Sequence, residues 1–141
     1  MDLGFETCGN ATLIVYDRGI PVLVTDPWIS GAQYFGSWML PYRFTPEQLD
    51  AFTAAQHVWL SHGHPDHLNL DSLAQFRDKT VLVPHHHGGR ILRDLNAEGY
   101  RAQEVADDSW LQISPHVRIL CCADWNQDAA LLIALGEQCA V

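Results

Sequence analysis

Four side chains with metal-binding chemistry fall within one short run, His62-Gly63-His64-Pro65-Asp66-His67. Neutral imidazole suits zinc and iron, and a carboxylate is its usual companion. His62 and His64 are two residues apart, so in extended geometry both point to one side and can chelate one ion. Gly63 lets the backbone bend closely around them. Asp66 and His67 follow Pro65 on the turn into the next segment. They can face a second ion about 3.5–4 Å from the first, the spacing of two-metal hydrolases. Chance rarely assembles this combination, so a purely solvated polar loop is a poor account of it.

The run needs a strand before it and a helix after it. His57 to Ser61 reads as a short buried strand, which places the histidines at the carboxyl end of a strand, where α/β folds put their sites. Upstream, Ala11 to Tyr16 and Ile20 to Thr25 read as a β-hairpin around Asp17-Arg18-Gly19. Pro27 ends the second strand. Residues 29 to 44 have no periodicity and read as a long, functional loop. Thr45-Pro46-Glu47-Gln48 is a helix start with a capping box, running to about Ala55. Helices are expected over Leu70 to Arg77 and Gly89 to Glu98, the latter stopped by Gly99. Strands are expected over Thr80 to Val83, Gln103 to Val105, Trp110 to Ile113, Val117 to Cys122, Ala129 to Leu135 and Gln138 to Val141. Strands at both ends with helices between them predict a layered α/β sandwich.

Bulk properties narrow the function. The chain of 141 residues is 48% hydrophobic and 18% charged, enough for one domain with a core. A net charge of −9 without a basic cluster excludes nucleic acid as the expected partner. No apolar run is long enough to span a bilayer, and the acidic start lacks signal-peptide features, so a cytoplasmic location is expected. Cys8, Cys121, Cys122 and Cys139 form no C-x-x-C pair and read as reduced, small apolar residues.

Ser61 to His67 resembles the H-x-H-x-D-H signature of the metallo-β-lactamase superfamily. Asn10 to Val15, Thr25 to Gly31 and Phe35-Gly36-Ser37-Trp38 resemble the branch that holds the catalytic domain of CMP-N-acetylneuraminate hydroxylase, together with lactonase-like and phospholipase D-like hydrolases. The resemblance implies the first half of an αβ/βα sandwich and a site for up to two divalent ions, with zinc expected before iron or manganese. It implies that His62 and His64 bind one ion, and Asp66 and His67 the other. In that family an aspartate placed like Asp26 supports the motif loop through hydrogen bonds rather than binding metal. Its alternative here is to cap the Pro27 turn.

This sequence departs from the family at one place. The loop that supplies a third histidine should be Cys122 to Asp128, and it holds none. Asp124 could replace that ligand, or Trp125 could fill the place and leave it missing. A bridging aspartate and a final histidine would lie beyond Val141, so the chain reads as truncated. His85-His86-His87 reads as a solvated loop, with one of the three lining the pocket as the alternative. His57 and His116 read as structural. Trp28, Tyr34, Phe35 and Trp38 read equally as a wall over the substrate or as packing.

Three functions follow as expectations. The first is a metal-dependent hydrolase of an ester, lactone, amide or phosphodiester, in which Asp66 also orients the attacking water. The second is an iron-dependent oxygenase component, and the third a non-catalytic half-domain. Half a sandwich should leave the apolar face of Leu13 to Tyr16, Val22 to Val24, Val58 to Leu60 and Leu131 to Leu135 uncovered, to be closed by a missing C-terminal half or a second copy. Sedimentation of the isolated chain checks the second copy: a monomer across the micromolar range would remove it.

Overall fold

The computed structural model describes residues 2–125 and 128–140, the last three by their backbone alone. Ten strands and three α-helices form three layers among these residues. The first sheet holds β1 (Leu3–Thr7), β2 (Leu13–Asp17), β3 (Ile20–Thr25), β4 (His57–Trp59), β5 (Thr80–Pro84) and β6 (Arg101–Val105), side by side in chain order. Neighbours from β1 to β3 run antiparallel, and those from β3 to β6 run parallel. The second sheet, β7 (Trp110–Ser114), β8 (Val117–Ala123), β9 (Ala129–Leu135) and β10 (Gln138–Ala140), is antiparallel throughout.

Local signals in the sequence place most elements. Arg18 and Gly19 both take positive φ, of 51° and 79°, as a two-residue hairpin turn between Asp17 and Ile20 requires. The helix α1 (Pro46–Ala54) begins on a reciprocal capping box of Thr45 and Gln48 with Pro46 in its first turn. The expected helix after Leu70 splits into α2 (Leu70–Leu73), capped by Asn69, and a 3-10 turn over Ala74–Phe76. The helix α3 (Arg90–Ala97) ends at Gly99, whose φ is 85°. The strand β1 has no counterpart in the sequence reading. Its five residues include a glycine and two acceptable strand formers, and pairing with β2 is what makes them a strand. Val141, the expected end of the last strand, lies outside the described residues, as does the side chain of Cys139.

The central strands are buried on both faces, which is why they read as continuous apolar runs. Alternate residues go to opposite sides. Ile14, Val24, Val58 and Val81 face α1 and α2 with Phe52, Leu73 and Phe76. Val15, Leu23, Trp59 and Leu82 face the second sheet with Val117, Ile119, Cys121 and Ile133. The face expected to lie uncovered is therefore covered by this chain's own second sheet, and Leu131 to Leu135 belong to that covering sheet rather than to the first. On the outer face of β7 to β9 alternation places the half-buried Leu120, Cys122 and Leu132, and there the Arg118 guanidinium lies 4.5 Å over the Trp110 ring. The Cys8 and Cys121 thiols are free and buried, and burial pushes them up to about 11 and about 12. No helix among the described residues is long and apolar enough to cross a membrane.

Trp59 joins the sheets at the strand that leads into the histidine run. It is 2% exposed, so Trp59→Ala should cost about 3–5 kcal/mol of stability, read as a lower midpoint in urea denaturation. A loss below about 1 kcal/mol would show that this contact is not central to the core.

Candidate metal centre

Parallel pairing sets the ends of β3 and β4 side by side, with Thr25 opposite Trp59. The Asp26 N–H extends the ladder by one bond, donating to the Trp59 carbonyl at 2.8 Å. Asp26 then turns into the left-handed region at a φ of 36° and delivers its carboxylate to the loop after β4. That carboxylate is buried and accepts three hydrogen bonds. Ser61 N–H reaches Oδ1 at 2.7 Å, Ser61 Oγ–H reaches Oδ2 at 2.7 Å, and His67 Nδ1 lies 3.0 Å from Oδ2. Thr12 Oγ1 donates to the Asp26 carbonyl at 2.8 Å and ties β2 to the same point.

These bonds orient the histidines. A carboxylate only accepts, so a neutral His67 carries its proton on Nδ1 and turns Nε2 away from Asp26. Nε2 lies 3.5 Å from Asp66 Oδ2. Burial opposes protonation of His67, but the Asp26 hydrogen bond and charge, with Asp66 and Asp128 adding to them, outweigh it and raise its pKa above 6.5. His62 shifts the other way: burial first, then His67 and His64, hold its pKa below 6.5 despite Asp128 and Asp26, which favours the neutral ring a metal needs.

Asp66 is braced by two residues that sequence reasoning did not assign to it. Tyr34 Oη–H donates to Oδ1 at 2.8 Å, and the Asn10 amide donates to the Asp66 carbonyl at 3.0 Å and to Oδ2 at 3.3 Å. Burial alone would raise the Asp66 pKa. Tyr34, the Asp66 backbone, His67 and Asn10 together hold it below the usual carboxylate value. No sequence spacing ties Asn10 or Tyr34 to residue 66; only the fold brings them there.

Donor chemistry in this cluster fits a divalent ion: imidazoles and an anionic carboxylate, with His67 already oriented by a second carboxylate. Among the described residues no three of these donors converge on one point. His62 Nε2 instead lies 2.8 Å from His64 Nδ1, with the His62 ring centroid 4.5 Å from that of His64 and 4.1 Å from that of His67. Accepting an ion would require the His62–His64 hydrogen bond to open.

The loop after β8 comes to the same place. Asp124 lines the cleft beside His62 and His64. Asp128, which the sequence reading passed over, puts Oδ1 3.4 Å from His62 Nδ1. The two aspartates form one turn, with Asp124 N–H donating to the Asp128 carbonyl at 2.9 Å and Asp128 N–H to Asp124 Oδ1 at 3.2 Å. Trp125 is 89% exposed and does not fill the place of a ligand. Asn126 and Gln127, in the same loop, lie outside the described residues.

The other candidates separate. Trp28 is buried, while Phe35 and Trp38 are exposed. His57 Nδ1 meets the Val22 carbonyl at 3.2 Å, and His116 Nδ1 meets Asp17 Oδ1 at 2.9 Å. His85 is an exposed partner of Glu104 at 2.8 Å. His86 is buried and lines the cleft with His62, against the solvated reading of that loop. Burial lowers its pKa, outweighing the Ser61 backbone and the Asp128 and Asp124 charges.

Residues 22–127 match the model of a family described as the beta-lactamase superfamily domain. Over 109 residues the chain is 24% identical to the cytidine monophosphate-N-acetylneuraminic acid hydroxylase of Asterias rubens, an alignment covering 73% of this chain and 17% of that protein. The solved structure of CmlA, a diiron beta-hydroxylase from Streptomyces venezuelae, aligns with a TM-score of 0.72 at 24% identity, covering 98% of this chain and 28% of that one. A metallo hydrolase from the archaeon Ignicoccus hospitalis aligns with a TM-score of 0.59 at 14% identity, covering 96% of this chain and 57% of that one. These structural likenesses carry the fold, and this chain spans only part of each protein.

The raised His67 pKa has a pH consequence. Stability from its pairing with Asp26 is fully present below about pH 6.5, the ordinary histidine value, and is lost as pH rises through the higher folded value. With a chelator present, NMR titration should find the His67 ring above 6.5, and Asp26→Asn should move it down. An unmoved midpoint would remove Asp26 as the cause.

Proposed function

The chain belongs to the beta-lactamase superfamily domain family and folds as the N-terminal part of a metallo-β-lactamase αβ/βα sandwich, and on that premise we propose that it carries the metal-binding part of a metal-dependent hydrolase. The observation that supports this reading most is the buried Asp26 carboxylate holding Ser61 and His67 together, because it orients the histidine run at the mouth of a cleft. His62 and His64 would hold one ion, and Asp66 and His67 the other, with Asp124 or Asp128 in place of a third histidine. Zinc is the first expectation. A bound divalent ion would polarise the scissile carbonyl or phosphoryl group and bring a water to a pKa of about 7.

The chain's own groups do the rest. Asp66, anionic at neutral pH and fixed by Tyr34 and Asn10, orients the attacking water through its carboxylate. Asp26 keeps the His67 ring turned so that Nε2 is available. The substrate is a small molecule, since the cleft beside His62 and His64 has a volume of about 990 Å³ and the net charge of −9 disfavours nucleic acid. Further donors would come from a C-terminal half or a second copy.

One observation favours a second reading, iron-dependent hydroxylation. The loop after β8 offers the carboxylates Asp124 and Asp128 and no histidine among the described residues, and oxygen donors shift a site towards iron or manganese. Metal analysis of protein from its native host separates the two: iron without zinc favours hydroxylation, zinc without iron removes it.

Hydrolysis itself is tested on protein reconstituted with zinc or manganese, with p-nitrophenyl butyrate, a γ-lactone and bis-p-nitrophenyl phosphate as substrates. Turnover of at least one should exceed that of His64→Ala by about 100-fold, the scale on which losing a metal-site group acts. Equal rates would overturn the proposal.

A further inference from the structure

The loop between β3 and α1 carries a stiff apolar point that, apart from Tyr34, takes no part in the metal centre. Gln33 and Trp38 pair as a short antiparallel hairpin, with Gln33 N–H donating to the Trp38 carbonyl at 2.9 Å and Trp38 N–H to the Gln33 carbonyl at 3.2 Å. Its tip is Tyr34-Phe35-Gly36-Ser37. Phe35 holds a φ of 58° and stands wholly in solvent. Trp38, Met39 and Tyr42 of the same loop are exposed as well. A slack loop would fold such side chains down, but this one is pinned at both ends. Ile29 N–H donates to Ser72 Oγ at 2.8 Å, Tyr42 Oη–H donates to the Cys8 carbonyl at 2.7 Å, and Phe44 packs edge-on against Phe52 of α1 at 5.1 Å. Apolar surface continues beside it into an open groove of about 440 Å³, lined by Ile29, Met39, Leu40, Phe44 and Leu49. A contiguous exposed apolar patch marks a surface for a protein or a membrane. We propose that this hairpin and its groove dock the chain on the surface of a zwitterionic phospholipid bilayer.

Hydrogen bonding and charge choose that occupant. An apolar boundary penalises unbonded backbone groups. Gly36 N–H donates to the Gln33 carbonyl at 3.1 Å, and the Ser37 N–H and hydroxyl both donate to the Tyr34 carbonyl, at 3.2 and 2.7 Å, so these donors need no water. The chain holds 17 acidic residues, yet none lies among residues 27–46, so the patch meets a neutral surface without a carboxylate to desolvate. Arg43 is exposed at the groove and pairs with no carboxylate among the described residues. A lipid phosphate would supply its partner while Trp38 and Tyr42 lie at headgroup level, where such rings collect. A second copy would set one net charge of −9 against another, and an anionic bilayer would repel the chain for the same reason. With no helix long and apolar enough to cross among the described residues, the chain lies on the bilayer. Tyr34 of the same hairpin donates to Asp66, so docking would hold the candidate metal centre close to the lipid. Binding itself rests on neither metal nor turnover.

The probe is a sucrose-loaded vesicle of phosphatidylcholine, sedimented with the full chain in the presence of a chelator. The chain should sediment with the vesicles, and Phe35→Asn should weaken binding about tenfold, the lower end of what burying one phenylalanine supplies. Phe35 is fully exposed and asparagine tolerates its left-handed backbone, so this variant keeps the fold. Arg43→Gln should weaken binding about fivefold, the factor one ordinary hydrogen bond supplies. Vesicles of phosphatidylglycerol should bind more weakly than those of phosphatidylcholine. Phosphatidylcholine brominated on its acyl chains should quench tryptophan emission, and Trp38→Phe should lose that quenching. An unaltered protein that stays in the supernatant at millimolar lipid would overturn the inference without any variant. Equal binding by Phe35→Asn or Arg43→Gln, tighter binding to phosphatidylglycerol, or quenching that survives Trp38→Phe would each overturn it too. So would a lipid-free dimer that Phe35→Asn dissolves, which would assign the hairpin to a second copy. Vesicle binding by a protein that hydrolyses nothing would leave this surface standing and remove the hydrolase reading alone.

Discussion

A single buried carboxylate organises this molecule. Asp26 is 3% exposed at the joint between two parallel strands, and a charge so placed is stable only when fully hydrogen-bonded. Its partners are Ser61 and His67, one at each end of the histidine run, so the bonds that make Asp26 tolerable also fold the run into one shape. Removing one partner would leave the others facing an unsatisfied charge, which is why β3, β4 and the run behave as one unit.

That unit has a rigid floor. The strands β2 to β5 bury alternate side chains against helices on one side and against the second sheet on the other. A shift of register by one residue would exchange the two sets, so the strand ends cannot slide and Asp26 cannot drift from Ser61. Precision at the site is inherited from packing far larger than the site.

The aromatic loop meets the same unit from the other side. Tyr34 and Phe35 take positive φ, of 48° and 58°, a conformation that costs non-glycine residues about 1–3 kcal/mol each. The strained pair turns the Tyr34 hydroxyl onto Asp66 and leaves Phe35 in solvent, and the edge-on packing of Tyr34 against Trp38 at 5.0 Å offsets part of the cost. Strain is thus stored where a side chain reaches the candidate metal ligands.

The spacing of His62, His64, Asp66 and His67, the capping box at Thr45 and the Asp17-Arg18-Gly19 turn are local, and local chemistry is legible in sequence. So are the continuous apolar runs, which reveal strands, and the strand–motif–helix order, which points to the fold. Strand β1, the covering of the first sheet by β7 to β9, and the positions of Asn10, Tyr34, Asp128 and His86 are not local. Asn10 lies 56 positions from Asp66 and Tyr34 lies 32, and no periodicity links such pairs. An apolar run also cannot say which of two sheets it joins, as Leu131 to Leu135 demonstrate. Those outcomes are decided only when the sheets stack, because burial and pairing are properties of the assembled layers and not of any one segment.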